Sequence, residues 1–334
     1  MRATYELDPP EWAETLAVLE STSLAAGPEA VRARVVATDG ARVTIDFPAL
    51  DEPLGVTSLV SSCVAGEWAD RADVRRCRLV DVEWPAWLPG PRGEVSDRVL
   101  VGAIVKPALG LTPAEVAGVA GALGRGGADL VKDDELLDDP RSCPLDERVR
   151  AVAAALPDGI LYAANVTGPT ETLLARAQRA VEAGASALML NVFVQGLDAL
   201  RALREADLGV PLFAHRVGAA FLARGERVGI DARVLAELTR LCGADFVQVG
   251  SFVERVHDSP DDVRRQIDGC HRPLAGAGTA TAVIGGGVGP ANASEQLAKA
   301  GTRSGVMLLL GSAAYLDPDG LERAVAKTVA ACAS

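Results

Sequence analysis

The stretch VLVGAIVKPALGLTPAEVAGVAGALGRGGADLVKDDE, residues 99–135, decides how the whole chain is read. Two strand-like apolar runs, 99–106 and 128–134, flank an alanine- and leucine-rich helical segment that ends in Gly, a helix-stop signal. This strand–helix–strand unit then repeats. Further strand-like runs lie at 160–167, 187–193, 210–216, 245–250, 281–287 and 305–311, with helical stretches such as ETLLARAQRAVEAGA between them. Eight strands alternating with helices over about 235 residues predict an α/β fold of the (β/α)8 TIM-barrel type. An open doubly wound sheet is the alternative.

Residues before this repeat have a different texture. PPEWAETLAVLES (9–21) reads as a helix with Pro at its start, and ARVTIDFPAL (41–50) as a strand. RRCRLVDVEWPAWL (75–88) holds an alternating strand that ends at Pro85, and PGPRGEVSD (89–97) has linker composition. The expected organisation is a small α+β N-terminal domain over 1–90 followed by the barrel over 91–334.

Composition narrows the function. A net charge of −12 argues against nucleic acid as a partner, because phosphate backbones need a basic face. There is no run of eighteen or more apolar residues, so no membrane span is expected. The opening MRATYELDPPEW lacks the basic-then-apolar pattern of a signal peptide, which makes the cytoplasm the expected compartment. The six cysteines lie far apart with no CxxC pair, so they read as reduced and mostly buried rather than as a zinc or disulfide framework.

In a barrel the chemistry gathers where strands end. Lys106 ends the first strand, and Lys132 and Asp134 end the second, on one face by side-chain alternation, while Asp133 points the other way. Glu135 follows in the loop. Asn165, Asn191, His215 with Arg216, and Gln248 end or nearly end strands three to six. Glycines 285–287 end the seventh, and Gly311 with Ser312 the eighth. Four charges at one strand end are costly unless water, mutual pairing or a metal ion satisfies them. The plain alternative is a solvated run in which Lys132 bridges to Asp134 or Glu135. Convergence with Lys106, Asn191 and His215 favours a site instead. Gly286, Gly287, Gly311 and Ser312 stand where barrels commonly hold a phosphate, although glycines can also mark only a tight turn.

These residues resemble the RuBisCO large-subunit superfamily. The resemblance lies in KPALGL and GGADLVKDDE, in the 26-residue spacing from Lys106 to Lys132, and in LFAHRVGAA, GIDARVLAELTRLCGADFVQVG, VIGGGVGP and LLLGSAAYLDPDG. LAVLEST and VTSLVSSCVAG look like the family's N-terminal motifs. The resemblance implies that Lys132 takes up CO2 as a carbamate and binds Mg2+ with Asp134 and Glu135. It also implies that Lys106 contacts substrate, and that Glu20 reaches the site of a partner subunit in a head-to-tail homodimer or a higher oligomer of dimers.

Departures from the family pattern are equally informative. Ala108 stands where a second lysine is expected, and the mobile-loop lysine's place falls near Arg255. Family histidines are replaced by Phe246, Gln248 and Ala219, a serine by Gly285, and a small-domain asparagine by Ser62. No lysine stands in TSLVSSCVAGEW, where the family's methionine-salvage enolase keeps its base near Ser61 and Ser62. These losses argue against CO2 fixation and point to a RuBisCO-like protein with one strong phosphate site. The expected reaction is enolisation of a phosphorylated ketose or diketone, as in an isomerase, tautomerase or enolase. Lys106 would then be the acid or base at carbon, unless it only pairs with Glu135. His215 would shuttle a proton at a substrate oxygen, and Arg216 would hold a phosphate or carboxylate. Two alternatives stand beside this: a decarboxylase or C–C lyase of a phosphorylated 3-oxo acid, and a non-catalytic sensor or scaffold that keeps the site.

Overall fold

Period-two alternation shapes the first sheet. In β1 (Arg2–Asp8) Ala3, Tyr5 and Leu7 are buried, and the residues between them are more exposed. The strand pairs antiparallel with β3 (Arg42–Asp46) on one side and β4 (Arg76–Glu83) on the other, and β2 (Arg34–Asp39) flanks β3. Helix Trp12–Leu19 follows β1. The computed structural model describes residues 1–19, 32–53, 55–64, 70–107, 109–254, 258–274 and 276–333. Glu20, Ala108 and Arg255 lie outside the described residues.

Residues 89–97 carry no helix or strand. Beyond them run β5 (Leu100–Ile104), β6 (Leu130–Lys132), β7 (Leu161–Asn165), β8 (Ala187–Asn191) and β9 (Leu212–His215). A short β10 (Val228–Ile230) precedes β11 (Phe246–Val249), β12 (Thr281–Gly285) and β13 (Val306–Leu310). All but β10 close into a parallel barrel in the order β11-β12-β13-β5-β6-β7-β8-β9. The eight expected strands are these eight. Each is shorter than its apolar run, because the polar residues at the run's end turn into the loop.

The interior is filled by Leu130, Ala163, Met189, Phe213, Phe246, Met307 and their neighbours. Gly102 belongs to this packing. A Cβ there would meet Met307 Sδ at 2.7 Å, so any larger residue would push the Met307 side chain aside where β5 sits against β13. Outside the barrel, helix Pro113–Arg125 starts with a capping box. Thr112 Oγ1 accepts from Glu115 N at 3.4 Å, and Glu115 Oε2 accepts from Thr112 N at 2.8 Å.

β10 does not join the barrel. It pairs parallel with β4, Val228 opposite Cys77 and Ile230 opposite Leu79, and so completes a five-stranded sheet in the order β10-β4-β1-β3-β2. Helix Ala232–Leu241, which follows it, contacts both β4 and β11 and is buried along nearly its whole length. Trp84 Nε1 donates to Glu237 Oε2 at 2.7 Å across that contact. All six cysteines are buried, and none is in a disulfide. Among the described residues no helix is long and apolar enough to cross a membrane.

Candidate active site

β6 carries its charged end into the protein rather than into water. Lys132, Asp133 and Asp134 are all buried. Alternation sends Asp133 outward, where it accepts from Tyr162 OH at 2.6 Å, Arg148 Nε at 3.2 Å and Asn165 N at 2.9 Å. Arg148 and Asp133 form an ion pair closed to solvent. The turn after β6 is thereby fixed from behind, which leaves the inward residues to face the barrel mouth.

Lys132 Nζ donates to the carbonyl of Asp133 at 2.7 Å and stands 4.0 Å from Glu135 Oε2. The Phe213 ring lies 5.8 Å beneath it and stacks on Phe246. Burial on this aromatic floor lowers the amine's pKa to about 8, against the pull of Glu135, Asp134 and Asp133. Lys132 is thus a lysine that can lose its proton near neutral pH.

The carboxylates differ in how far they are committed. Asp134 accepts from Leu136 N at 3.0 Å through Oδ1 and pairs with Lys106 Nζ through Oδ2. Lys106 therefore bridges to Asp134, not to Glu135. Its backbone N–H donates to Tyr315 OH at 2.6 Å, and that hydroxyl donates to Ile104 O at 2.9 Å, fixing the end of β5. Glu135 is held by its backbone: Asn191 Nδ2 and Asn165 Nδ2 donate to its carbonyl at 2.9 and 3.2 Å. Its side-chain Oε2 is buried with no hydrogen-bond partner, and so is Asn191 Oδ1.

His215 Nε2 approaches that orphaned oxygen to 3.6 Å. Burial, then the charges of Lys132, Arg216 and Lys106, push the imidazole pKa well below its usual value. The contact is therefore between a neutral ring and a carboxylate, not an ion pair. Val217 N–H donates to Nδ1 at 3.3 Å, which leaves the ring proton on Nε2, facing Glu135.

The glycine end of β12 is shaped by its carbonyls. Ser251 Oγ donates to Gly286 O at 2.6 Å, and Asn292 Nδ2 to Gly287 O at 3.0 Å. Both glycines have positive φ, 116° and 73°, which side chains resist. Gly311 precedes the short helix Ser312–Tyr315 at the end of β13. Arg216 goes elsewhere: it forms a two-point pair with Asp258. Ser61 and Ser62 lie in the turn Val60–Val64 of the N-terminal part. Sequence reading did not single out Tyr315, Tyr162, Arg148 or Asp258. Only the strand-end position of their partners hinted at them.

Among the described residues, His, Cys, Asp and Glu alone nowhere form a ready set of three metal ligands. At this site the third donor would be Lys132, which becomes an anionic oxygen donor only once CO2 has added to it. An unsatisfied, buried Glu135 oxygen beside a readily deprotonated lysine and Asp134 fits a hard divalent cation with carboxylate-type ligands.

Residues 92–320 match the ribulose bisphosphate carboxylase large chain, catalytic domain. A ribulose bisphosphate carboxylase-like protein of Allochromatium vinosum is 36% identical over 229 residues, 63% of this chain and 50% of that protein. A 2,3-diketo-5-methylthiopentyl-1-phosphate enolase of Geobacillus thermodenitrificans is 38% identical over 192 residues, 51% of this chain and 46% of the enolase. The chain thus spans about half the length of these curated relatives. Octameric ribulose-1,5-bisphosphate carboxylase/oxygenase from Pyrococcus horikoshii superposes with a TM-score of 0.89 at 26% identity, covering 99% of this chain and 87% of that one. With the closed barrel, the five-stranded companion sheet and the charged end of β6 in place, the chain belongs to the RuBisCO large-chain family, as a RuBisCO-like protein.

Proposed function

We propose that the protein is an enolisation enzyme acting on a phosphorylated ketose or diketone. The observation that carries this reading is the orphaned, buried Oε2 of Glu135 beside Lys132, whose amine burial has made easy to deprotonate. Lys132 as a carbamate, with Asp134 and Glu135, would hold Mg2+. When bound, that ion polarises a substrate carbonyl and makes the neighbouring C–H more acidic.

The chain's own residues supply the rest. Lys106, paired with Asp134 at the mouth, would take and return the proton at carbon. His215 offers a neutral Nε2–H to a substrate oxygen. Gly286 and Gly287, whose carbonyls accept from Ser251 and Asn292, would offer their amides to a phosphate together with Gly311 and Ser312 from β13. Asn191 and Asn165 fix the Glu135 backbone so that its carboxylate stays aimed at the site. The enolase name of a relative agrees with this chemistry. The lyase alternative loses support, because the residue expected to hold its carboxylate, Arg216, is already engaged by Asp258. The same reading divides the chain near residue 90 into a small part and a catalytic barrel. It also gives the enzyme a second copy as partner, as in the octameric Pyrococcus protein.

The test is proton exchange in D2O with Mg2+ and bicarbonate, across a panel of phosphorylated ketoses and diketones. Deuterium should enter next to a carbonyl only when both additions are present. Exchange that persists without either one would remove the carbamate–metal reading. Release of CO2 from a 3-oxo acid, without exchange in the panel, would replace enolisation by cleavage.

A further inference from the structure

A cavity of about 390 Å3 lies behind β9 and β11. Ala214 and Val247 line it, whereas the alternate residues Phe213 and Phe246 fill the barrel interior, so the cavity is on the outer side of the barrel wall. None of Lys106, Lys132, Asp134, Glu135 or His215 lines it. Its size suits a small molecule.

The inner walls are made of small side chains. Ala220 and Ala223 come from the short helix after β9, and Ala232 and Ala236 from the helix after β10. Larger residues here would close the space, and protein interiors leave few voids bigger than a water molecule. The mouth is electrically lopsided. Arg216 and Arg224 share one carboxylate, Asp258, with Arg224 at 3.6 Å. Arg78 gives its hydrogen bonds to the carbonyls of Gly225 and Ala223, so among the described residues no carboxylate neutralises it. Asp262 is held by Arg265, and Glu226 sits exposed at the rim. A positive excess at an apolar cleft stands out in a chain with a net charge of −12.

We propose that this cavity is a binding site, separate from the reaction centre, for a small amphipathic carboxylate. The apolar body lies along the alanine wall, and the carboxylate sits between Arg78 and Arg224. The proposal does not depend on the enolisation reading.

Calorimetric titration of the full chain with straight-chain carboxylates from butanoate to decanoate tests it, with the matching alcohols and alkyl phosphates as controls. Affinity should rise with chain length and then level off once the cavity is filled. The alcohol of the best length should bind about tenfold more weakly, a difference near 1.4 kcal/mol. Arg224→Gln should weaken the carboxylate by a similar factor and leave the alcohol unchanged. Ala236→Leu should abolish both; if that variant does not fold, Ala223→Leu at the half-buried end of the wall serves the same purpose. Binding by no carboxylate, affinity independent of length, or indifference to both substitutions would overturn the proposal. Alkyl phosphates binding more tightly than carboxylates would overturn the choice of head group.

Discussion

Lys132 shows how one side chain sets the chemistry of the site. Its amine is fully buried, over an aromatic ring, and is pushed down to about 8 from an ordinary 10.5. Below pH 8 the folded and unfolded chains both carry this proton. Between about 8 and 10.5 only the unfolded chain does, so stability gains from this group as pH rises through that window. The difference in unfolding free energy between wild type and Lys132→Met, measured without metal, should show that slope. A flat difference would mean that the amine is not desolvated in solution. On the proposed reading, the same substitution should lower enolisation by about a hundredfold or more, since it would remove a metal ligand and not merely a contact. Tyr315 acts at one remove. Tyr315→Phe strips the hydroxyl that ties Lys106 N to Ile104 O, for a stability loss of roughly 1–3 kcal/mol. It should lower kcat more than it raises KM, because Lys106 remains but is no longer held in place. The inward set Lys106, Lys132, Asp134 and His215 was legible in the sequence because strand-end alternation places them. The Asp258 partner of Arg216 was not, because 42 residues and four elements separate the pair.

The elements owe their order to patterning that the sequence carries openly, and their exceptions to pairings it hides. All eight barrel strands stand out as apolar runs, because a parallel sheet buried on both faces needs continuous hydrophobic segments. β1, β2 and β10 passed unnoticed. β2 is exposed along much of its length, and β10 has three residues, so neither has a pattern of its own. The turn after β6 depends on an equally hidden element, the helix Leu145–Ala155, which delivers Arg148 to Asp133. Arg148→Met would leave that carboxylate buried without its cation, at a cost of about 3–5 kcal/mol. Thermal melts should register this loss, and Asp133→Asn combined with Arg148→Met should recover part of it. Failure of the double variant to recover anything would mean that the pair does not act as a unit.

At the scale of the molecule, the two sheets are joined more firmly than the linker composition of residues 89–97 suggests. β10 leaves the barrel to pair with β4, and Trp84 bonds Glu237 across the seam. The four tryptophans, Trp12, Trp68, Trp84 and Trp87, all belong to the first 90 residues, whereas most of the helix lies beyond them. Tryptophan emission therefore reports the small part, and far-ultraviolet dichroism chiefly reports the barrel. Urea unfolding should give coincident transitions by the two signals. Two separated midpoints would show that the parts unfold independently despite the shared strand.

The loan of β10 also matters while the chain is being made. β4 can acquire this neighbour only after 151 further residues, from Leu79 to Ile230, have been synthesised. At roughly 5–20 residues per second, that leaves one border of the young sheet open for about 8–30 s. Such an open border invites pairing with other nascent chains. β4 itself carries two arginines, Arg76 and Arg78, and two carboxylates, Asp81 and Glu83, charged side chains of the kind that keep an unpaired border from sticking to neighbouring copies during that wait.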